Sequence, residues 1–295
     1  MSKVVITGAA GFVGKKLVDC LISIGYDVIA LDKIDPKVEG LEFRKIDLTN
    51  ASDIEKIELP IGAIVIHLAA MSTDSLCKLD PVGAMQNNLV ATASVVQIAN
   101  KFKASKFIFA SSEWVYPELD KREIQSEAMA LSLTNLNSLY AMSKLMGENL
   151  VRVTTECMHV ILRFGIVYGP RSNPGSAPES ILAKVNHGDK VSVGSFNTAR
   201  RFIFVQDLVT AITALVSDPG DLNGEIYNVS GPDLVSLGQI ASISMEILEK
   251  NVEIEDGGLA PSIRNPDPSK FKARFGFTAS YGIRDGLVAC LNARN

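Results

Sequence analysis

Val4-Val5-Ile6 runs directly into Thr7-Gly8-Ala9-Ala10-Gly11-Phe12-Val13-Gly14, and a helically periodic stretch through Leu17, Val18, Leu21 and Ile22 follows. A β-branched run, a glycine turn and an amphipathic helix in that order leave a chain few options. Glycine lets the backbone turn sharply, approach a pyrophosphate closely and pack helix on sheet. The helix start then presents amide N–H groups and a positive dipole end to phosphates. A second strand at 27–31 ends at Asp32, a carboxylate placed to accept hydrogen bonds from adenosine ribose hydroxyls. Its charge repels a 2′-phosphate, so the pattern predicts NAD as cofactor rather than NADP.

Further strands are predicted at 42–46, 63–68, 106–111 and 159–164, with long helices over 82–102 and 138–156. Strand and helix alternating at this rhythm make a parallel sheet covered on both faces. The expected fold is α/β: a Rossmann-like doubly wound parallel sheet with a small C-terminal α/β substrate lobe. Residues 1–168 are read as the NAD-binding domain, with a returning segment around 200–230, and 169–295 as mainly the substrate-binding lobe. Glycine- and proline-rich stretches at 169–178 and 256–268 are loops in which specificity is expected to lie.

Composition narrows the partners. Lysine plus arginine number 29 against 33 acids, a net charge of −4, so no basic surplus exists for a nucleic-acid backbone or an acidic membrane. The longest apolar run, 61–71, is too short to span a bilayer and contains His67. The N-terminus goes straight into a strand and does not read as a secretory signal. Four scattered cysteines and three dispersed histidines offer no metal site and point to the reducing cytoplasm.

Tyr140 and Lys144 stand four residues apart, on one face of the 138–156 helix. A phenol with a pKa of about 10 is a poor base at neutral pH, and a neighbouring ammonium together with a positive nicotinamide ring favours the phenolate. Ser111-Ser112 ends a strand at the carboxyl edge of the sheet, where a serine can hydrogen-bond the hydroxyl whose proton the tyrosine takes.

With these residues in place, the chain resembles the NAD-dependent epimerase/dehydratase family, extended short-chain dehydrogenases/reductases that act on nucleotide sugars. The likeness runs over nearly the whole length. It assigns cofactor contacts to Gly8, Gly11, Phe12, Val13, Gly14, Asp32, Asp47, Leu48, Leu68, Ala69, Ala70, Asn88, Tyr140 and Lys144. Ser112, Tyr140 and Lys144 take the catalytic places; Met71, Ser72, Glu113, Trp114 and Arg200 are assigned to the substrate. Ile166, Pro117, Phe204 and Arg201 depart from residues common in the family. The resemblance implies removal of a C4 hydroxyl proton by Tyr140 and a 4-keto sugar with several possible fates. Dehydration uses an acid pair after the catalytic serine or threonine; here the pair reads Glu113-Trp114, leaving one acid. Epimerisation at C4 is therefore expected, with 4-keto reduction, dehydration or decarboxylation, and a non-enzymatic NAD-binding regulator as alternatives. A homodimer through a four-helix bundle is also implied.

Overall fold

The structure, a computed structural model, describes residues 3–119, 121–188 and 190–293, and the chain forms two compact units. The first collects Met1–Val115, Leu131–Arg163 and Ile212–Tyr227. Its strands are β1 (Lys3–Thr7), β2 (Asp27–Asp32), β3 (Glu42–Lys45), β4 (Ile64–His67), β5 (Lys106–Ser112) and β6 (Met158–Phe164). A seven-stranded sheet runs in the order Glu225–Val229, β6, β5, β4, β1, β2, β3. The central strands are apolar throughout because both faces are covered: Val4, Val5, Ile6, Ile29, Val65, Phe107 and Phe109 are buried. At the edge, β3 reads Glu-Phe-Arg-Lys and is only partly buried, charge keeping other strands off.

Register decides where chemistry can happen. Thr7 lies opposite His67, and His67 opposite Phe109, so the carboxyl ends of β1, β4 and β5 come out level. The chain builds outward from β1 in one direction through β2 and β3, then returns to β4 on the other side. This reversal beside β1 is where open α/β sheets bind ligands.

Helix α1 (Phe12–Ser23) follows the glycine turn; α2 (Ala51–Glu55), α3 (Asp74–Leu79), α4 (Pro81–Met85), α5 (Ala91–Lys101) and α6 (Leu139–Thr154) complete the unit before β6. The predicted 82–102 helix is thus two α-helices joined by a π turn, Gln86–Val90. Apolar periodicity cannot reveal one extra residue in a turn. Asp80 starts α4 by accepting a hydrogen bond from the Gly83 amide at 2.9 Å, with Pro81 in the first turn. Ser138 does the same for α6, accepting from the Ala141 amide at 3.1 Å. Buried Lys106 donates to the carbonyls of Leu215 and Asp218, both at 2.8 Å, a cation closing a helix C-terminus.

The second unit comprises Tyr116–Ala130, Phe164–Ala211 and Asn228–Asn295. Its core gathers Tyr168, Leu182, Val185, Ile240 and Leu287, and Phe204 stacks on Tyr281 with centroids 4.2 Å apart. Buried Glu179 organises the 169–178 loop, accepting from the amides of Gly169 and Gly175 and pairing with Arg171. No helix of the described residues is long and apolar enough to cross a membrane. Nor do the described residues include a cluster of three or more His, Cys, Asp or Glu that could hold a metal ion.

Candidate active site

At the end of β1 the glycine turn is packed without slack. Gly8 has φ +72°, and a Cβ there would lie 2.7 Å from the Ala69 nitrogen; a Cβ on Gly14 would lie 2.1 Å from the Gly8 carbonyl oxygen. Gly11 is the N-cap of α1 and no side chain caps that helix, while Phe12 and Val13 form its first, half-buried turn. A helix start of this kind is one that a phosphate can cap. Asp32 accepts from the Ala10 amide at 2.9 Å and from the Ile34 amide at 3.0 Å, tying the turn to the end of β2. Lys33 faces Asp47 at 3.1 Å, so its charge is paired there. Leu48 is buried in the core of the unit. Leu68, Ala69 and Ala70 leave β4 alongside β1, the Leu68 amide donating to the Thr7 carbonyl at 3.2 Å.

A chain of hydrogen bonds runs inward from the turn, and its directions are fixed. The Thr92 hydroxyl donates to the Asn88 carbonyl at 2.7 Å, so it can only accept from His67 Nε2, 3.0 Å away. His67 is therefore the Nε2–H tautomer, and its Nδ1 accepts from the Thr7 hydroxyl at 2.7 Å. Thr7 Oγ1 in turn accepts from the Ala69 amide at 3.3 Å. Burial pushes the His67 pKa down to about 3, with the Lys144 charge a second cause, so the ring stays neutral. Asn88, in the π turn, accepts from the Met71 amide at 2.7 Å and donates to the Met71 carbonyl and to Ser143 Oγ, both at 3.0 Å. Ser143 donates to the Tyr140 carbonyl at 2.8 Å. One polar path thus joins the glycine turn to the helix that carries Tyr140.

The strand period of two sends Ser111 and Ser112 to opposite faces. Ser112 hydrogen-bonds the Tyr140 phenol, while Ser111 donates to Glu148 at 2.5 Å within the core. Lys144 Nζ donates to the Ala110 carbonyl at 2.8 Å and lies 6.0 Å from the Tyr140 ring centroid. Burial pushes the Tyr140 pKa up to about 12, outweighing the Ser112 hydrogen bond, with Cys77 and Glu113 adding to the rise. Burial brings Lys144 down to about 8, against the pull of Cys77 and Glu148. Lys144 is not among the groups that shift the phenol, whose rise comes first from burial. Trp114 meets Tyr140 edge-on, centroids 6.1 Å apart, and Glu113 is fully buried beside them.

Met71 is drawn into this arrangement through Asn88, whereas Ser72 is exposed ahead of α3. Arg200 belongs to the second unit, where it is buried and donates to Ser262 Oγ at 2.6 Å. Arg264 lies beside it: the two guanidinium groups reach half-exposed Glu118 at 3.8 and 3.1 Å. Arg201 bonds Asn265 Oδ1 at 2.7 Å. Sequence reasoning missed Arg264, Cys77 and Asp74. Asp74 accepts from Ser138 Oγ at 2.6 Å and from the Tyr140 amide, fixing the first turn of α6. Its partners lie across a separation of 64 residues, and no local motif announces them.

Comparison with known proteins bears on the family and the fold. The sequence model of a family described as NAD dependent epimerase/dehydratase matches residues 4–230. A Methanocaldococcus jannaschii protein named as a UDP-glucose 4-epimerase is 30% identical over 257 residues, covering 81% of this chain and 80% of that one. An Arabidopsis thaliana protein named UDP-glucuronic acid decarboxylase 4 is 26% identical over 97% of this chain and 67% of its own length. Among solved structures, UDP-glucuronic acid 4-epimerase from Bacillus cereus, in complex with UDP-glucuronic acid and NAD, superposes with a TM-score of 0.85. It is 25% identical, over 99% of this chain and 98% of that one.

Proposed function

The chain belongs to the NAD dependent epimerase/dehydratase family, and from that premise we propose that it inverts C4 of a nucleotide-activated sugar through a transient 4-keto intermediate. The residues present fit NAD: a glycine turn packed too tightly for a Cβ at Gly8 or Gly14, a helix start without a side-chain cap, and Asp32 with Lys33 paired to Asp47. NAD, when bound, supplies the hydride acceptor and later the hydride donor. Ser112 hydrogen-bonds the reacting hydroxyl, and Tyr140 accepts its proton and later returns it. Lys144 holds the cofactor ribose and provides the nearby positive charge. Epimerisation then requires only that the keto sugar turn its other face before the hydride comes back. In the second unit, buried Arg200 and Arg264 are suited to the paired negative charge of a diphosphate.

The observation that carries this reading is Trp114 against Tyr140. A dehydratase needs a second carboxylate after the catalytic serine, and an indole stands in that place. The test uses enzyme as purified, without added cofactor, against uridine, thymidine, guanosine and cytidine diphosphate sugars. A product of unchanged mass is expected. Loss of carbon dioxide or water would replace the reading with decarboxylation or dehydration, and a requirement for added reduced cofactor and a keto sugar would replace it with reduction.

A homodimer is part of the same proposal. Val90 on the π turn and Met146 and Val153 on α6 are exposed apolar residues on neighbouring helices. A second copy laying the same helices against these would bury them as a four-helix bundle. Val153→Glu is expected to shift the sedimentation coefficient from dimer to monomer; a monomeric native protein would sink the idea.

A further inference from the structure

Glu148 is a buried carboxylate that accepts three hydrogen bonds, and the reaction above leaves it without a part. It stands one helical turn beyond Lys144 on α6 and is buried. Oε1 accepts from Ser111 Oγ at 2.5 Å and from Arg163 Nε at 3.0 Å, and Oε2 accepts from Arg163 Nη2 at 2.8 Å. Ser111 precedes Ser112 on β5 and Arg163 lies on β6, so one side chain pins the active-site helix to two adjacent strands.

We propose that Glu148 is a positioning residue for the Tyr140–Lys144 pair: clamped by Ser111 and Arg163, it fixes the register of α6 on β5 and sets a negative charge one turn from the Lys144 ammonium. This rests on the reading that Tyr140 and Lys144 do the chemistry. A fork of guanidinium against carboxylate suits the task, because bidentate geometry fixes orientation as well as distance. A buried ion pair is seldom a net source of stability compared with apolar packing, so its value here lies in placement.

The charges around Lys144 make the role testable. From α3 the ammonium is faced by Cys77, from β4 by neutral His67, from β5 by the Ala110 carbonyl and the Phe109 ring, and from α6 by Tyr140 and Glu148. Among these, Glu148 is the group whose negative charge favours the ammonium at neutral pH, and Arg163 balances it.

The experiment titrates Lys144 by NMR in full-length protein carrying ¹³C-labelled lysine, with K144M to assign its signal. In the wild type the midpoint is expected near 8. E148Q removes the carboxylate and leaves Arg163 unbalanced, so the midpoint is expected to fall by about one unit. R163M leaves the carboxylate unbalanced, so the midpoint is expected to rise by about as much. E148Q/R163M is expected to return close to the wild type, which keeps the test usable if either single variant folds poorly. E148D, which keeps the charge on a shorter arm, is expected to hold the wild-type midpoint. A purely structural role cannot move the midpoint in opposite directions; shifts of the same sign, or none, overturn the proposal. Turnover serves as a separate readout, its alkaline limb following the same shifts. If the midpoints move as expected but the wild type converts no nucleotide sugar, the proposed reaction fails and the role of Glu148 stands.

Discussion

Tyr140→Phe is expected to lower turnover about 10³-fold while the protein keeps its NAD. The substitution removes one oxygen and leaves the ring in its edge-on contact with Trp114, so the helix and its polar supports stay as they are. What disappears is the proposed acceptor for the substrate proton. Ser112 cannot stand in, because an unassisted hydroxyl is a far weaker acceptor than a phenolate. The starting phenol is itself reluctant: burial pushes its pKa up to about 12. A positive nicotinamide ring beside the phenol would favour its ionised form. Single-turnover rates, with retained nucleotide measured after acid release, check the expectation. A variant keeping a tenth of the native turnover would move the proton acceptor to another group, and an NAD-binding regulator would keep its function unchanged.

Gly14→Ala is expected to destabilise the protein by about 2–3 kcal/mol, lowering the melting temperature by about 5–10 °C, and to abolish NAD retention. The added Cβ would stand 2.1 Å from the Gly8 carbonyl oxygen and 2.9 Å from the Ala9 Cα. Both obstacles are backbone, so relief requires α1 to move away from the turn. That movement withdraws the helix start from the pyrophosphate. Gly40→Ala is the control: its φ of +74° is strained for alanine, but nothing lies within 4 Å of the new Cβ. Calorimetry with and without NAD separates the two. The control should lose about 1 kcal/mol to its left-handed backbone and keep its cofactor, whereas a Gly14→Ala protein melting within a degree of the native one would mean the turn is looser than described.

What the sequence reveals and what it hides divide along chain distance. Strand β1, the glycine turn, Asp32 and the Tyr140–Lys144 spacing are legible because each is a local pattern with a local physical cause. The same holds for the alternation that makes the sheet parallel. The supports of the site are not local. Asp74 and Ser138 meet across 64 residues, Ser111 and Glu148 across 37, and Arg200 and Ser262 across 62. A single chain carries no signal for such pairs until it is folded. His67 is intermediate: its place at a strand end is readable, but its neutral state follows from burial and from Thr7 and Thr92 on other elements. The segment Tyr116–Ala130 illustrates the same limit, since it leaves β5 and packs with the second unit without any change in composition to mark it.

The π turn at Gln86–Val90 has a consequence for how this chain can change. A π turn is an α turn holding a surplus residue. Deleting one residue there would restore regular helical hydrogen bonding, so the damaged gene would encode a better helix. The repaired helix would also swing α4 by about 100° relative to α5, carrying Asn88 off Met71 and Ser143. Shortening by one codon is thus a frame in which local order improves and the active-site scaffold is lost. The surplus residue gives up regular helical hydrogen bonding and holds Asn88 against Met71 and Ser143.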